Sequence, residues 1–305
     1  MTDVHEVGVV GLGKMGANVA RRLEKLGYDV VGYDVDADAR EVVAVETAAS
    51  PSELCEKLSP PRVVWLSVPH GDAVDASLDD LLPALSEGDV VVDAGNSDHR
   101  ETRRRHRRLA DEGVGLVDAG CSGGPSGALE GMSIMAGGDP DDVEAVESLL
   151  VDLAADGGYG YFGPSGAGHY VKMVHNGVEY AFMQALGEGL HLLADGDYSD
   201  VDVEQACRVW SNGSVVESRL VRLAARAFER DPEMEGVRGY VPDSGMGRWT
   251  VEEAVDSDVP ATTLSHALFA RYRSRESDEG SFADKVISAL RREFGGHDVE
   301  RLDEG

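Results

Sequence analysis

Lysine is nearly missing from this chain, with five among 305 residues, and basic residues of both kinds number only 28 against 57 acids. The resulting formal charge of −29 gives a surface that repels phosphate backbones and anionic headgroups, so neither nucleic acid nor membrane is expected as a partner. Cysteine is scarce as well. Cys55, Cys121 and Cys207 stand far apart and without metal-ligand spacing, which excludes a disulfide framework and a thiolate metal site and fits a reduced cytoplasm. No stretch approaches the roughly 18 consecutive apolar residues of a membrane span, and no basic segment with an apolar run opens the chain, so a cytoplasmic protein is expected. Repeats and low-complexity tracts are lacking too.

What is present is a hydrophobic content of 42% over a length sufficient for two domains, each with its own core. An acid excess of this size resembles that of proteins from salt-loving organisms, where concentrated cations screen the self-repulsion of the fold. Activity is therefore expected to need salt.

From Val7 to about Phe162, apolar β-branched runs alternate with amphipathic stretches, the pattern of a parallel sheet covered by helices. Strands are expected at residues 7–10, 29–33, 63–67, 90–92, 115–118 and 133–136, with helices starting near Met15, Pro51 or Ser52, Ala73 and Arg100. Past the Gly/Pro-rich residues 163–168 the period is helical, interrupted by charged loops at about 195–202 and 228–247. The dense basic run Arg103-Arg104-Arg105-His106-Arg107-Arg108 reads as a helix face paired with nearby acids.

Within the first region, a strand runs into Gly11-Leu12-Gly13-Lys14-Met15-Gly16 and then into a helical pattern. Gly11 permits the tight turn, Gly13 lets backbone approach a pyrophosphate, and Gly16 lets helix pack on strand. Asp34, at the end of the second strand, is placed to accept hydrogen bonds from ribose hydroxyls. A 2′-phosphate would meet Asp34-Val35-Asp36 instead, so NAD is expected in preference to NADP, with Arg40 the nearest cation downstream. Val68, Pro69 and His70, and farther on Asn96, should reach the same sheet edge, Asn96 facing cofactor and substrate together. The expected architecture is an α/β Rossmann-type domain with a parallel sheet at residues 1–164. An all-α substrate and oligomerisation domain follows at residues 165–305.

Ser122, Gly123 and Gly124, after a strand ending at Asp118, offer a hydroxyl and closely approachable amides to an anionic or hydroxylated ligand. The run Lys172-Met173-Val174-His175-Asn176-Gly177-Val178-Glu179 is more telling. Spacings of three, four and seven place Lys172, His175, Asn176 and Glu179 on one helix face, an amine and a carboxylate able to meet one ligand. An exposed Lys-to-Glu pair is ordinary; the histidine and asparagine between them, and the Gly-rich entry, point to a proton-transfer site. A lysine serves as a base near neutral pH when burial beside other donors keeps its amine partly neutral. Arg248 and Arg271, each among glycine and aromatics, suit bidentate phosphate binding. No metal is expected: His169 and His175, six apart, do not share a helix face. The helix from about Gly168 to Ala194 is apolar on more than one face and is expected to be buried all round, in a homodimer or homotetramer.

These segments together resemble the decarboxylating 6-phosphogluconate dehydrogenases, in their short form, over nearly the whole chain. The resemblance is carried by Gly-Leu-Gly-x-Met-Gly at 11–16, Asp-Ala-Gly-Asn-Ser at 93–97, Ser-Gly-Gly at 122–124, Lys-Met-Val-His-Asn-Gly-x-Glu-Tyr at 172–180 and Gly-Arg-Trp-Thr at 247–250. Phe294-Gly295-Gly296-His297, preceded by Arg291, looks like the family's C-terminal substrate-binding element. The resemblance implies that Lys172 is general base and then acid, that Glu179 protonates the enediol, and that Asn176 assists in the catalytic group. It further implies that Asn96, Ser122, Gly123, Gly124, His175 and Asn176 hold the sugar acid. Tyr180, Arg248 and Arg271 would hold its phosphate, joined by Arg291 and His297 from a second subunit. Pro125 and Met246 depart from the family pattern at two loops.

Two other readings compete. A β-hydroxyacid dehydrogenase of the 3-hydroxyisobutyrate type shares the glycine loop, Ser-Gly-Gly and the lysine, but would leave Glu179 unused and three arginines without a ligand. A non-catalytic NAD-binding sensor would bind without turnover, which Lys172 and Glu179 argue against.

Overall fold

The computed structural model describes residues 4–296 except 199 and 278. Two structural units divide the chain, Met1–Met173 and Val174–Gly305, the division falling within one long helix.

The first unit is built on an eight-stranded sheet of order β3-β2-β1-β4-β5-β6-β7-β8. Its strands are β1 (Glu6–Val10), β2 (Asp29–Tyr33), β3 (Glu46–Thr47), β4 (Val63–Leu66), β5 (Val90–Asp93), β6 (Gly115–Ser122), β7 (Met132–Gly137) and β8 (Ala154–Tyr161). All neighbours are parallel except β6 and β7, which are antiparallel. Seven helices cover it: α1 (Gly16–Leu26), α2 (Ala37–Val42), α3 (Pro51–Glu56), α4 (Asp72–Leu81), α5 (His99–Ala110), α6 (Gly124–Glu130) and α7 (Pro140–Leu153). Along β4, Trp65 joins a core with Leu23 and Leu149 while Val64 and Leu66 join another with Leu54, Leu78 and Leu109. Because successive strand side chains point to opposite faces, the sheet is buried on both, which is why its strands read as continuous apolar runs.

The strand at 115 continues past Asp118 to Ser122, so Gly120, Cys121 and Ser122 lie in the sheet rather than in the loop expected there. Pairing with the reversed β7 sustains that extension, since Ser122 is still in register with Ser133.

In the second unit, the later turns of α8 (Ala167–Asp195) pack with α9 (Val203–Trp210), α10 (Arg219–Arg230), α11 (Met246–Asp256), α12 (Thr262–Arg273) and α13 (Phe282–Gly295). Met183, Leu190, Phe228, Met234, Ile287 and Leu290 form its core. Residues 228–230, expected in a loop, belong to α10, whose apolar face buries Phe228. Nor is α8 buried all round within one chain: Phe182 is 45% and Leu192 73% exposed. No helix among the described residues is long and apolar enough to cross a membrane.

Candidate active site

At the carboxyl end of β1 the glycines are required by contact. A Cβ on Gly16 would lie 1.8 Å from the Gly11 carbonyl oxygen, and one on Gly11 (φ +89°) 2.5 Å from that of Ser67. Gly13 has open space where a Cβ would project, so a ligand can approach its backbone. Met15, ahead of α1, contributes no side-chain cap, and the Ala17 N–H of the first turn donates to the Gly13 carbonyl at 3.0 Å. Lys14 is exposed beside Met15.

Asp34 is held by the backbone: the Leu12 N–H donates to one carboxylate oxygen at 2.6 Å and the Asp36 N–H to the other at 2.9 Å. Arg40 turns back onto the Asp34 carbonyl at 2.5 Å, directing its guanidinium to the chain instead of outward. The residues of this end therefore fit a dinucleotide with free ribose hydroxyls. Val68, Pro69 and His70 follow β4, and Asn96 follows β5, so with the glycine turn and Asp34 they occupy the carboxyl ends of adjacent parallel strands, where such sheets bind ligands. Asn96 is exposed, and the turn that presents it is closed by the buried Asp93 carboxylate, which accepts from Gly95 N–H at 3.0 Å and Ser97 Oγ at 2.8 Å.

Ser122 ends β6, Gly123 precedes α6, and Gly124 begins it. Lys172, in the second turn of α8, is only 5% exposed and packs against Gly120 of that strand. Burial pushes the neighbouring Cys121 thiol up to about 12, so the thiol stays protonated at neutral pH.

Eight residues farther along α8, in the second unit, Tyr180 begins a cationic cluster of different character. The Arg271 guanidinium stacks on the Tyr180 ring, 3.2 Å from its centroid, and Gly247 makes room for that ring, since a Cβ there would approach it to 2.3 Å. Burial lowers Arg271 to about 10 and Arg291 in the same direction; both lie within electrostatic reach of Tyr180 and Glu179 of their own chain. Arg291, expected to cross from a second subunit, is thus packed at 8% exposure beside these groups. His297 lies outside the described residues. His175 Nδ1 is 3.0 Å from Asn176 Oδ1 and 3.9 Å from a Glu179 carboxylate oxygen. Arg248, half exposed at the start of α11, is oriented by Asp243 at 3.0 Å and the Tyr272 hydroxyl at 3.3 Å.

Sequence reasoning passed over Asp243. Its carboxylate also accepts from Gly245 N–H at 2.7 Å and faces Arg275 at 3.4 Å, so two arginines are arranged around one buried acid. The signal available was an acid two residues before Gly245, the pattern of a turn closed by its own side chain just ahead of α11.

The basic run pairs with acids as expected: Arg104 and Arg105 with Asp75, Arg108 with Asp79, and His106 with Asp139. Arg105, however, is buried rather than solvated. Among the described residues, one group of possible metal ligands, His106, Asp139 and Asp142, brings its atoms within 4.8 Å. Within it His106 Nε2 lies 3.2 Å from an Asp139 carboxylate oxygen.

Residues 6–164 match the family described as the NAD binding domain of 6-phosphogluconate dehydrogenase, and residues 168–305 match the 6-phosphogluconate dehydrogenase C-terminal domain. An NAD(+)-dependent, decarboxylating 6-phosphogluconate dehydrogenase of Haloferax volcanii is 43% identical over 305 residues, covering 98% of this chain and all of that one. Among solved structures, Plasmodium falciparum 6-phosphogluconate dehydrogenase, described as apo, with NADP+ and with 6-phosphogluconate, superposes with a TM-score of 0.81 at 26% identity, over 95% of this chain and 70% of that one. Mycobacterium tuberculosis 3-hydroxyisobutyrate dehydrogenase shares the fold at a TM-score of 0.73 and 21% identity, over 95% of this chain and 100% of that one.

Proposed function

Because this chain belongs to the 6-phosphogluconate dehydrogenase family, we propose that Lys172 and Glu179 carry out the proton transfers by which it converts 6-phosphogluconate to ribulose 5-phosphate and carbon dioxide. The enzyme is an NAD-preferring oxidoreductase. NAD, when bound, supplies the acceptor for the hydride from C3.

Lys172, neutral at the start, takes the proton of the 3-hydroxyl as the C3 carbonyl forms. It then returns that proton to the carbonyl oxygen while the C1–C2 bond breaks. Electrons of that bond flow into the protonated carbonyl as carbon dioxide leaves, giving an enediol. Glu179 delivers a proton to the carbon that becomes C1 of the pentulose as Lys172 takes back the proton of the enediol hydroxyl that becomes the C2 ketone, and Asn176 orients that hydroxyl. No Lewis acid is demanded, because a β-keto acid already contains its electron sink.

Asn96, Ser122, Gly123, Gly124, His175 and Asn176 hold the carboxylate and hydroxyls. Tyr180, Arg248, Arg271 and Arg291 hold the phosphate, with His297 assigned to the same group on resemblance alone. Gly11, Leu12, Gly13, Lys14, Met15, Gly16, Asp34, Val68, Pro69, His70 and Asn96 receive the cofactor. Residues 165–305 act as the substrate and oligomerisation domain; Phe182 and Leu192, exposed on α8, support a homodimer or homotetramer. The three free cysteines support a reduced, cytoplasmic location.

The observation that carries this reading is the buried Lys172, whose side-chain stem packs on Gly120 of the strand that ends in Ser122. Arginines stacked and gathered around Tyr180 separate it from the 3-hydroxyisobutyrate alternative, whose small acid has no phosphate to engage them. Lys172→Met is expected to lower kcat by at least the ~10²–10⁴-fold typical of a lost general base while NAD still binds. Turnover within tenfold of the wild type would remove Lys172 from the mechanism.

A further inference from the structure

Asp118 lies in the middle of β6, completely buried, with no basic side chain hydrogen-bonded to it among the contacts described. A buried carboxylate in such a place demands donors. It finds them in the backbone of the segment leading into α8, where the Gly166 N–H donates to one oxygen at 2.6 Å and the His169 N–H to the other at 2.9 Å. These are among the groups that a helix start leaves without intrahelical partners, and the helix dipole adds attraction for the negative charge.

Three glycines make this approach possible. A Cβ on Gly168 would fall 2.3 Å from the Met135 carbonyl oxygen, one on Gly137 2.6 Å from Gly168 N, and one on Gly120 2.4 Å from the Lys172 Cβ. The first turns of α8 are therefore pressed directly onto β6 and β7. His169 adds a second tie: its buried ring meets the Asp93 carbonyl through Nε2 at 3.1 Å and the Thr102 hydroxyl through Nδ1 at 2.8 Å. Since a carbonyl can only accept, Nε2 carries the proton. Asp93 is the residue whose carboxylate closes the turn presenting Asn96. One helical turn thus fixes Lys172 against β6 and joins it to the β5 end.

We propose that Asp118, assisted by His169, is the positioning residue of the reaction: it sets the depth and rotation of α8 so that the Lys172 amine meets the C3 hydroxyl in line with Asn96 and Ser122. Asp118 touches no reacting atom. This rests on Lys172 being the base, as argued above. Substituting Asn at 118 keeps size but confronts one of the two N–H groups with an amide N–H₂. Substituting Ala at Gly120 adds one methyl where the Lys172 Cβ already sits and introduces no polar group.

The test compares Asp118→Asn, Gly120→Ala and Lys172→Met with the wild type, using 6-phosphogluconate, its 3-deuterated form and NAD. For Asp118→Asn and Gly120→Ala, kcat is expected to fall about 100-fold, the order seen when a reacting group is misplaced by about 1 Å. NAD affinity, measured by direct binding, should stay within about threefold, and the deuterium isotope effect on kcat should rise as chemistry becomes rate-limiting. Loss through a smaller folded fraction would lower kcat and leave the isotope effect where it was, which overturns the proposal. So would a folded variant with kcat within threefold of the wild type. Should Asp118→Asn not be recovered folded, Gly120→Ala decides; failure of both to fold would show that the network holds the domain and not the lysine. An active Lys172→Met would sink the assignment of the base itself, a different result from an inactive Lys172→Met beside an active Asp118→Asn.

Discussion

Asp34 is aimed by main-chain groups on both of its oxygens, so it cannot swing away from a bound ribose without giving up two hydrogen bonds. Its remaining lone pairs are free for hydroxyl donors, and a phosphate in the same place would be repelled at close range. Arg40, committed to backbone carbonyls, leaves that repulsion uncompensated. Asp34→Ala should therefore reduce the NAD-over-NADP ratio of kcat/KM by about tenfold or more, the worth of one charge-assisted hydrogen-bond difference of about 1.4 kcal/mol. An unchanged ratio would place the discrimination elsewhere. The glycine turn and Asp34 were legible in the sequence because local backbone geometry dictates them. Asp118 was not, since the Gly166 N–H it holds lies 48 residues away in the chain, a distance no local pattern spans; Asp243 had a local partner in Gly245, but its tie to Arg275 lies 32 residues away.

Among the elements, α5 shows how a charge run becomes structure. Its arginines clasp Asp75 of α4, and Arg105 first, then Arg104, hold that carboxyl down at about 2. A carboxyl depressed in the folded state stabilises the fold above its ordinary value near 3.8, and that contribution disappears as pH falls toward 2. Asp75→Asn should accordingly melt below the wild type at pH 7, with the gap closing between about pH 4 and pH 2 in a thermal scan. A gap that stays constant with pH would show that the ion pair contributes nothing. Strands β1, β2 and β5 were readable because Val7, Val9 and Val10, Val30 and Val31, and Val90, Val91 and Val92 give each an apolar, buried stretch. By contrast β8, Ala-Ala-Asp-Gly-Gly-Tyr-Gly-Tyr, sits at the sheet edge, mostly exposed or half-buried, and has no apolar run to betray it. Likewise α2 buries no residue at all and so carries no stripe, and the reversal at β7 leaves no mark on composition.

At the scale of the molecule the charge of −29 dominates. It repels polyanions, yet the buried Arg271 and Arg291 near Tyr180 make a local cationic cluster within an acidic chain. Screening by concentrated cations relieves the repulsion among surface acids without reaching buried pairs, so activity should require high salt and fade in dilute buffer. Oxidation of a phosphorylated sugar acid at the expense of NAD is read as absorbance at 340 nm. With purified protein in molar potassium chloride, 6-phosphogluconate plus NAD should produce NADH together with an equal amount of carbon dioxide, faster than with NADP, while 3-hydroxyisobutyrate gives nothing. NADH formed from 3-hydroxyisobutyrate alone, or NAD binding without turnover of either acid, would contradict the proposed reaction.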